Sequence, residues 1–405
     1  MTPPPHSPAL KAYVASRFAT NVGGSVYASV GPLIAALMFG AGPAQIGLIT
    51  ATSMATNVVL RLPVAHLIDR RGQERSIMVR WGLLSALVSS LVPLLWLLGG
   101  LTFWSFLACI ALSGVVSSVL SAAGHRMVSA LAAEGERTRA IGLLNSARSA
   151  GDIVGQSTGG LLVGLIPPPL ALLFSSAASL IGVALLPRAT EQKEENASTP
   201  AGAGAFSVAS TMRAVRIALT RPFVLAILAV GIGSSLAEPV VILYLLNEGG
   251  VHPSLIGLAI GMGAVGGVIG GLLVGPVIAR FGFRLSFALA TACIAAGTLA
   301  LMVVAPIDGW GFVAGVAFEL MTAAGGTIAI AGGMGRLQEE TPRTDIARTM
   351  SGVSLALEVT GIAGIGVGVL VAEALDLHAA LLGSIAIYVL VIGATAVRAW
   401  LAARR

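Results

Sequence analysis

Charge is scarce in this chain. Aspartate, glutamate, lysine and arginine together make 10% of 405 residues, against roughly 25% in an ordinary soluble domain. With 56% hydrophobic residues and a mean hydropathy of +0.91, a water-soluble fold is excluded. Cysteine is nearly absent: Cys109 and Cys293 stand alone in separate apolar runs, which excludes a disulfide framework or a cysteine metal cluster and leaves them as small core residues. The sequence has no HExxH, no Walker loop and no GxSxG, so neither an enzymatic activity nor a cofactor or metal is expected. One dinucleotide-like GxGxxG, Gly261 to Gly266, lies inside an apolar run with no strand before it. It reads as helix packing.

What the chain does have is length of apolar sequence. A membrane-spanning helix needs about 20 mostly apolar residues, and twelve such runs follow one another, at about 12–39, 46–67, 77–98, 101–123, 140–165, 169–187, 222–246, 254–278, 285–305, 309–332, 349–372 and 378–401. The expectation is an all-α polytopic membrane protein. Its 51 glycines suit helices that approach closely where lipid offers no hydrophobic driving force. The net charge of +6 raises the question of nucleic acid, and the placement of the basic residues answers it. Alternate loops hold nearly all of them, whereas the loops near residues 41–45, 98–102, 166–169, 248–253, 306–309 and 373–378 hold none. By the positive-inside rule both termini face the cytoplasm, and the basic residues mark topology rather than a nucleic-acid surface. Lys11 and Lys193 are the only lysines beside 22 arginines. That bias, with abundant Ala and Gly, fits a GC-rich bacterial genome and hence the bacterial cytoplasmic membrane.

Residues 188–221 interrupt the runs. Their charged start, Glu191 to Asn196, and the Ala/Gly/Ser-rich sequence after it cannot bury a core; Ser207 to Arg221 reads as a basic helix on the membrane surface. The expected division is 1–187, a linker 188–221, and 222–405, six runs on each side. Internal similarity supports a duplication. Gly275 to Arg284 follows the eighth run as Ala65 to Arg75 follows the second, with Ala279 where Asp69 would align.

That first turn, Ala65-His66-Leu67-Ile68-Asp69-Arg70-Arg71-Gly72-Gln73-Glu74-Arg75, resembles the loop between helices two and three of major facilitator superfamily transporters: Asp69, Arg70, Gly72 and Arg75 match, while Ala65, Ile68, Gln73 and Glu74 depart. The fifth run holds Gly151, Gly155, Gly159 and Gly160 in the register of the superfamily's antiporter motif, with Gln156 where that motif has proline. The stretch from Arg139 to Leu162, and Arg221-Pro222-Phe223, are similar to the macrolide-efflux and enterobactin-exporter branch. The resemblance implies two six-helix bundles and proton-driven export of amphipathic drugs, antibiotics or siderophores. It also implies that the Asp69 turn acts as a conformational latch. A glycine-faced packing surface is the other reading of the fifth run.

Ionisable residues at membrane depth are costly to insert, at about 2.5 kcal/mol or more each. With a rise of about 1.5 Å per residue, Arg61 lies roughly 12 Å from the basic side, Asp152 roughly 20 Å, Glu358 roughly 15 Å and Glu238 roughly 24 Å, while Glu319 lies roughly 15 Å from the other side. Arg148 and Asp152, four apart, share a helix face as an ion pair or a coupling pair. Glu319 and Glu358 need a partner across the bundle, such as Arg61 or Arg148, or a proton; desolvation favours the neutral carboxyl, so each could load and release one as access alternates. Glu238, before Pro239, would meet a cationic substrate or cap a bent helix. Arg17, Asn21 and Asn57 are further cavity candidates, though Arg17 could equally snorkel to the membrane edge. The expected partners are a small-molecule substrate, protons and the bilayer. One chain holds a complete pathway, so a monomer should suffice. Import of a metabolite, or a non-transporting sensor on the same fold, stay open as alternatives.

Overall fold

The structure, a computed structural model, describes residues 8–69, 74–131, 137–187, 216, 218–342 and 346–403. Among the described residues every regular element is helical: α1 Pro8–Phe39, α2 Pro43–Asp69, α3 Glu74–Leu97, α4 Phe103–Leu131, α5 Arg137–Leu165, α6 Pro168–Ala184, α7 Pro222–Asn247, α8 Pro253–Val304, α9 Gly311–Glu339, α10 Ile346–Ala374 and α11 Leu377–Ala403. Eight of these, counting α8 once, are long and apolar enough to cross a bilayer, and α6 is a shorter apolar helix. Local chemistry explains the starts. Proline occupies the first turn of α1, α2, α6, α7 and α8, where its missing N–H would have had no partner and its fixed φ suits the helix. At α4 the Thr102 hydroxyl accepts from Ser105 N–H at 3.2 Å while Ser105 Oγ accepts from Thr102 N–H at 2.8 Å, a reciprocal cap of the kind that satisfies two orphan donors.

The eighth and ninth apolar runs form two helical limbs of α8, Pro253–Val304, and the turn between them is tighter than the sequence suggests: its one non-helical residue is Gly282, with a φ of 71° and a ψ of 163°. That positive φ is open to glycine and penalises a side chain, so the reversal is accomplished at one residue. The Ser286 hydroxyl secures it, reaching the carbonyls of Gly282 at 2.7 Å and Val277 at 3.1 Å. The seventh run forms one helix, α7, that continues through Pro239, so Glu238 lies within it.

The chain forms two compact units, Met1–Gly40 with Thr52–Gly202, and Ala41–Ala51 with Ala203–Arg405. The expected linker lies outside the described residues except at Arg216 and 218–221. In the first unit α1 packs against α5 and α6, and α3 against α4 and α6. Small residues govern these contacts. A Cβ at Gly151 would lie 2.9 Å from Asn21 Cβ; one at Gly155 would press on the Val22 carbonyl and lie 2.7 Å from Ser25 Cβ; one at Gly159 would meet Ser29 Oγ. Gly160 is buried and Gln156 half-buried. Hydroxyls add interhelical bonds: Ser16 and Ser175 donate to the carbonyls of Gly182 at 2.6 Å and Gly23 at 2.7 Å, and Ser90 donates to Ser176 at 2.9 Å between α3 and α6.

In the second unit α9 packs along α8, while α10 and α11 pack on α7. Gly364 and Gly368 of α10 sit against the carbonyls of Ile232 and Leu236 on α7, repeating the glycine-to-backbone contact of α5 with α1. The first turns of α2 belong to this unit, where Gly47 faces Val369, Ile365 and Pro239. There Ala44 N–H donates to Glu373 Oε1 at 3.3 Å.

Two glycines test this account. Gly155→Ala is expected to lower stability by about 1–3 kcal/mol through overpacking. Gly24→Ala, with nothing within 4 Å of its added Cβ, should be neutral or gain up to about 1 kcal/mol of helix propensity. Thermal unfolding of the purified protein in detergent reads both, and equal responses would remove the close-contact role of Gly155.

Candidate functional site

The polar cluster of the first unit is built where α1 and α5 touch. Gly151 and Gly155 bring the two backbones together, which places Asn21 and Ser25, one turn apart on α1, beside Asp152. Ser25 Oγ donates to Asp152 Oδ1 at 2.7 Å and Asn21 Nδ2 donates to the same oxygen at 3.2 Å. Asn21 Nδ2 also reaches the Arg148 carbonyl at 3.2 Å. The expected Arg148–Asp152 pair forms, at 3.9 Å, with the arginine side chain 74% exposed and the aspartate 30%. At that separation and exposure it is the weaker tie; the two neutral donors of α1 hold the carboxylate. Ser25 was missed in the sequence. Its spacing of four from Asn21 was the available signal, but a lone serine on an apolar helix is common. Arg17, a turn before Asn21, does not join this cluster. It lies against Gly124 of α4, beside Tyr13, whose hydroxyl donates to the Gly124 carbonyl at 2.8 Å.

The second unit brings different carboxylates together. Glu319 on α9 has its Oε2 2.7 Å from where a Cβ on Gly263 of α8 would sit, so that glycine of the GxGxxG-like stretch makes room for the carboxyl. Glu238 on α7 is exposed, and α7 packs against α9, the helix that carries Glu319. No arginine pairs with either among the described residues; Arg148, offered above as a partner for Glu319, is engaged with Asp152 in the first unit. Glu358 is half-buried on α10, with its Oε2 buried. That Glu238 and Glu319 stand on neighbouring helices could not be read from sequence, because the two residues are 81 positions apart and their helices meet only in the fold.

Of the latch candidates, Arg75 donates through Nε to the Pro187 carbonyl at 2.9 Å, tying the start of α3 to the end of α6. Arg70 and Gly72 lie outside the described residues, as do the side chains of Asn57, Arg61 and Asp69. Among the described residues no group of three or more His, Cys, Asp or Glu could hold a metal ion.

Two units of apolar, membrane-length helices packed on glycine-lined faces define a polytopic helical membrane protein. The Major Facilitator Superfamily pattern matches residues 13–331, most of the chain, and the chain belongs to that family. Solved structures agree in fold. The nucleoside transporter NupG superposes with a TM-score of 0.74 at 12% identity, over 96% of this chain and 98% of that one. A bacterial homologue of the iron transporter ferroportin in its inward-facing state gives 0.74 at 18%, over 96% and 97%. A bacterial homologue of the human lysosomal transporter Spinster, inward-facing and occupied, gives 0.69 at 15%, over 100% and 98%. No match to a curated protein was found.

Removing both donors to Asp152, as Asn21→Ala with Ser25→Ala, should lower stability by about 1–3 kcal/mol, since a half-buried carboxylate loses its hydrogen bonds. Arg148→Gln should cost less than about 1 kcal/mol. Unfolding midpoints of the two variants decide the ranking; a larger loss from Arg148→Gln would make the ion pair the principal tie.

Proposed function

We propose that the protein is a proton-coupled exporter of amphipathic small molecules that alternates access between its two units. The observation that carries this reading is the placement of Glu238 and Glu319 on two packed, membrane-length apolar helices, α7 and α9, without a basic partner among the described residues. Two carboxylates repel when both are charged. The pair is relieved by a proton or by a cationic group of a substrate, and the two then compete. Competition of that kind is the elementary requirement of antiport: proton entry displaces substrate, and substrate binding displaces the proton.

The remaining candidates take supporting roles. Glu358 is a further proton carrier on α10. Asp152, held by Asn21 and Ser25, is a polar anchor between α1 and α5 with Arg148 beside it. The Gly151, Gly155, Gly159 face lets α5 move along α1 at constant, close separation. Asp69 latches the turn after α2, at the membrane's basic side. The glycine motif and the similarity to the macrolide-efflux and enterobactin-exporter branch favour drugs, antibiotics or siderophores as substrates and outward transport. The related structures are named for nucleosides, iron and a lysosomal transporter, a range that leaves the choice of substrate to the side chains. The expected setting is a bacterial cytoplasmic membrane, with both termini inside and one chain as the working unit.

Cells carrying the protein should accumulate less of a fluorescent amphipathic cation, or of a macrolide, than cells without it, and collapse of the proton gradient should abolish the difference. Glu319→Gln should reduce gradient-dependent efflux at least tenfold and Glu358→Gln by a smaller factor. Higher accumulation would reverse the direction to import; efflux that survives both the uncoupler and Glu319→Gln would exclude this coupling site. Separately, Asp69→Asn should slow turnover several-fold at unchanged expression, and unaltered transport would remove its latch role.

A further inference from the structure

The end of the second unit where α9 finishes carries four arginines in two different situations. Arg336 Nε pairs with Glu340 Oε1 at 2.9 Å, and its guanidinium lies over the rings of Phe283 at 4.9 Å and Phe223 at 5.6 Å. Arg221 donates to the Glu340 carbonyl at 3.0 Å and lies 3.6 Å from Glu340 Oε2. One acid thus serves two arginines. Arg280 and Arg284, flanking Gly282, are exposed and form no ion pair among the described residues. Between and beside them stand exposed apolar groups. Phe281 is 44% exposed with Arg280 over its ring at 5.6 Å, and Leu285 is 50% exposed.

This turn joins two membrane-length limbs of α8, so it sits at the membrane boundary. Exposed Phe281 and Leu285 are at home against acyl chains there, while arginine heads reach the phosphate level. The turn after α2 carries Asp69 among its arginines; here Ala279 occupies the aligned position and is itself exposed. The second turn therefore holds two unpaired positive charges and no acid of its own.

We propose that the Gly282 turn binds the headgroup of an anionic phospholipid, whose phosphodiester sits between Arg280 and Arg284 and supplies the counter-charge that Ala279 does not. Guanidinium groups suit this task because their planar N–H pairs match phosphate oxygens. The sharp turn at Gly282 presents both of them without an intervening loop. Two arginines near an anionic headgroup should favour it over a zwitterionic one by roughly tenfold or more.

The purified full-length chain, titrated with phosphatidylglycerol, phosphatidylcholine or inorganic phosphate, provides the test, read by the unfolding midpoint and by lipid retained in native mass spectrometry. Phosphatidylglycerol is expected to bind roughly tenfold tighter than phosphatidylcholine and to raise the midpoint further. Arg280→Gln with Arg284→Gln should abolish that preference, Arg398→Gln on α11 should keep it, and Ala279→Asp should weaken it by supplying the missing carboxylate. Equal binding of the two lipids, a preference that survives the double substitution, or one lost equally on Arg398→Gln would overturn the proposal. So would inorganic phosphate matching phosphatidylglycerol, since the site would then take any free anion. Mass spectrometry keeps the test valid if the double variant unfolds without a clear midpoint.

Discussion

Helices in a bilayer gain nothing from hiding apolar side chains from one another, because lipid is as apolar as they are. What holds this molecule together is contact at very short range, and glycine is what allows it. Gly155 and Gly159 meet α1, Gly364 and Gly368 meet α7, and Gly266 and Gly270 meet the carbonyls of Leu320 and Ala324 on α9. Each contact sets a side-chain-free face against a partner backbone, which maximises dispersion per unit of buried length. Hydroxyl groups bond across a further seam, between α1 and α6, where Ser16 and Ser175 donate to glycine carbonyls.

The placement of the polar chemistry follows from that constraint. A carboxyl can be held at membrane depth only where neighbours leave room and supply donors or water. Asp152 finds its donors because Gly151 and Gly155 bring α1 within hydrogen-bond reach. Glu319 finds its space because residue 263 has no side chain. The same small residues that bind the helices together therefore define where charge can be kept.

Much of the architecture is legible before any coordinates are seen. Apolar run length locates the spans, and the glycine register of the fifth run marks a packing surface. Helix ends are less legible. α4 and α9 continue past their apolar runs to Leu131 and Glu339, since a helix whose end projects into water can carry polar residues without losing its backbone bonds. The turn between the eighth and ninth runs is legible, but its tightness is not. Charged residues on both sides, Arg280 and Arg284, look like a loop, yet one positive φ reverses the chain with the helical pattern resuming at once. Partnerships across helices, such as Asn21 and Ser25 with Asp152, depend on rotation about helix axes that no single run encodes.

That one-residue reversal bears on how the chain can be assembled and altered. The two limbs of α8 have no slack between them, so each is delivered to the bilayer already yoked to the other as a hairpin, with the orientation of one dictating that of its mate. A reporter or protease site grafted at position 282 would separate limbs that have only a single glycine to turn on. By contrast, the junction at 305–310, whose residues are all exposed except Ala305, has chain to spare. Topology mapping of this protein should therefore place its tags at that junction and leave Gly282 untouched.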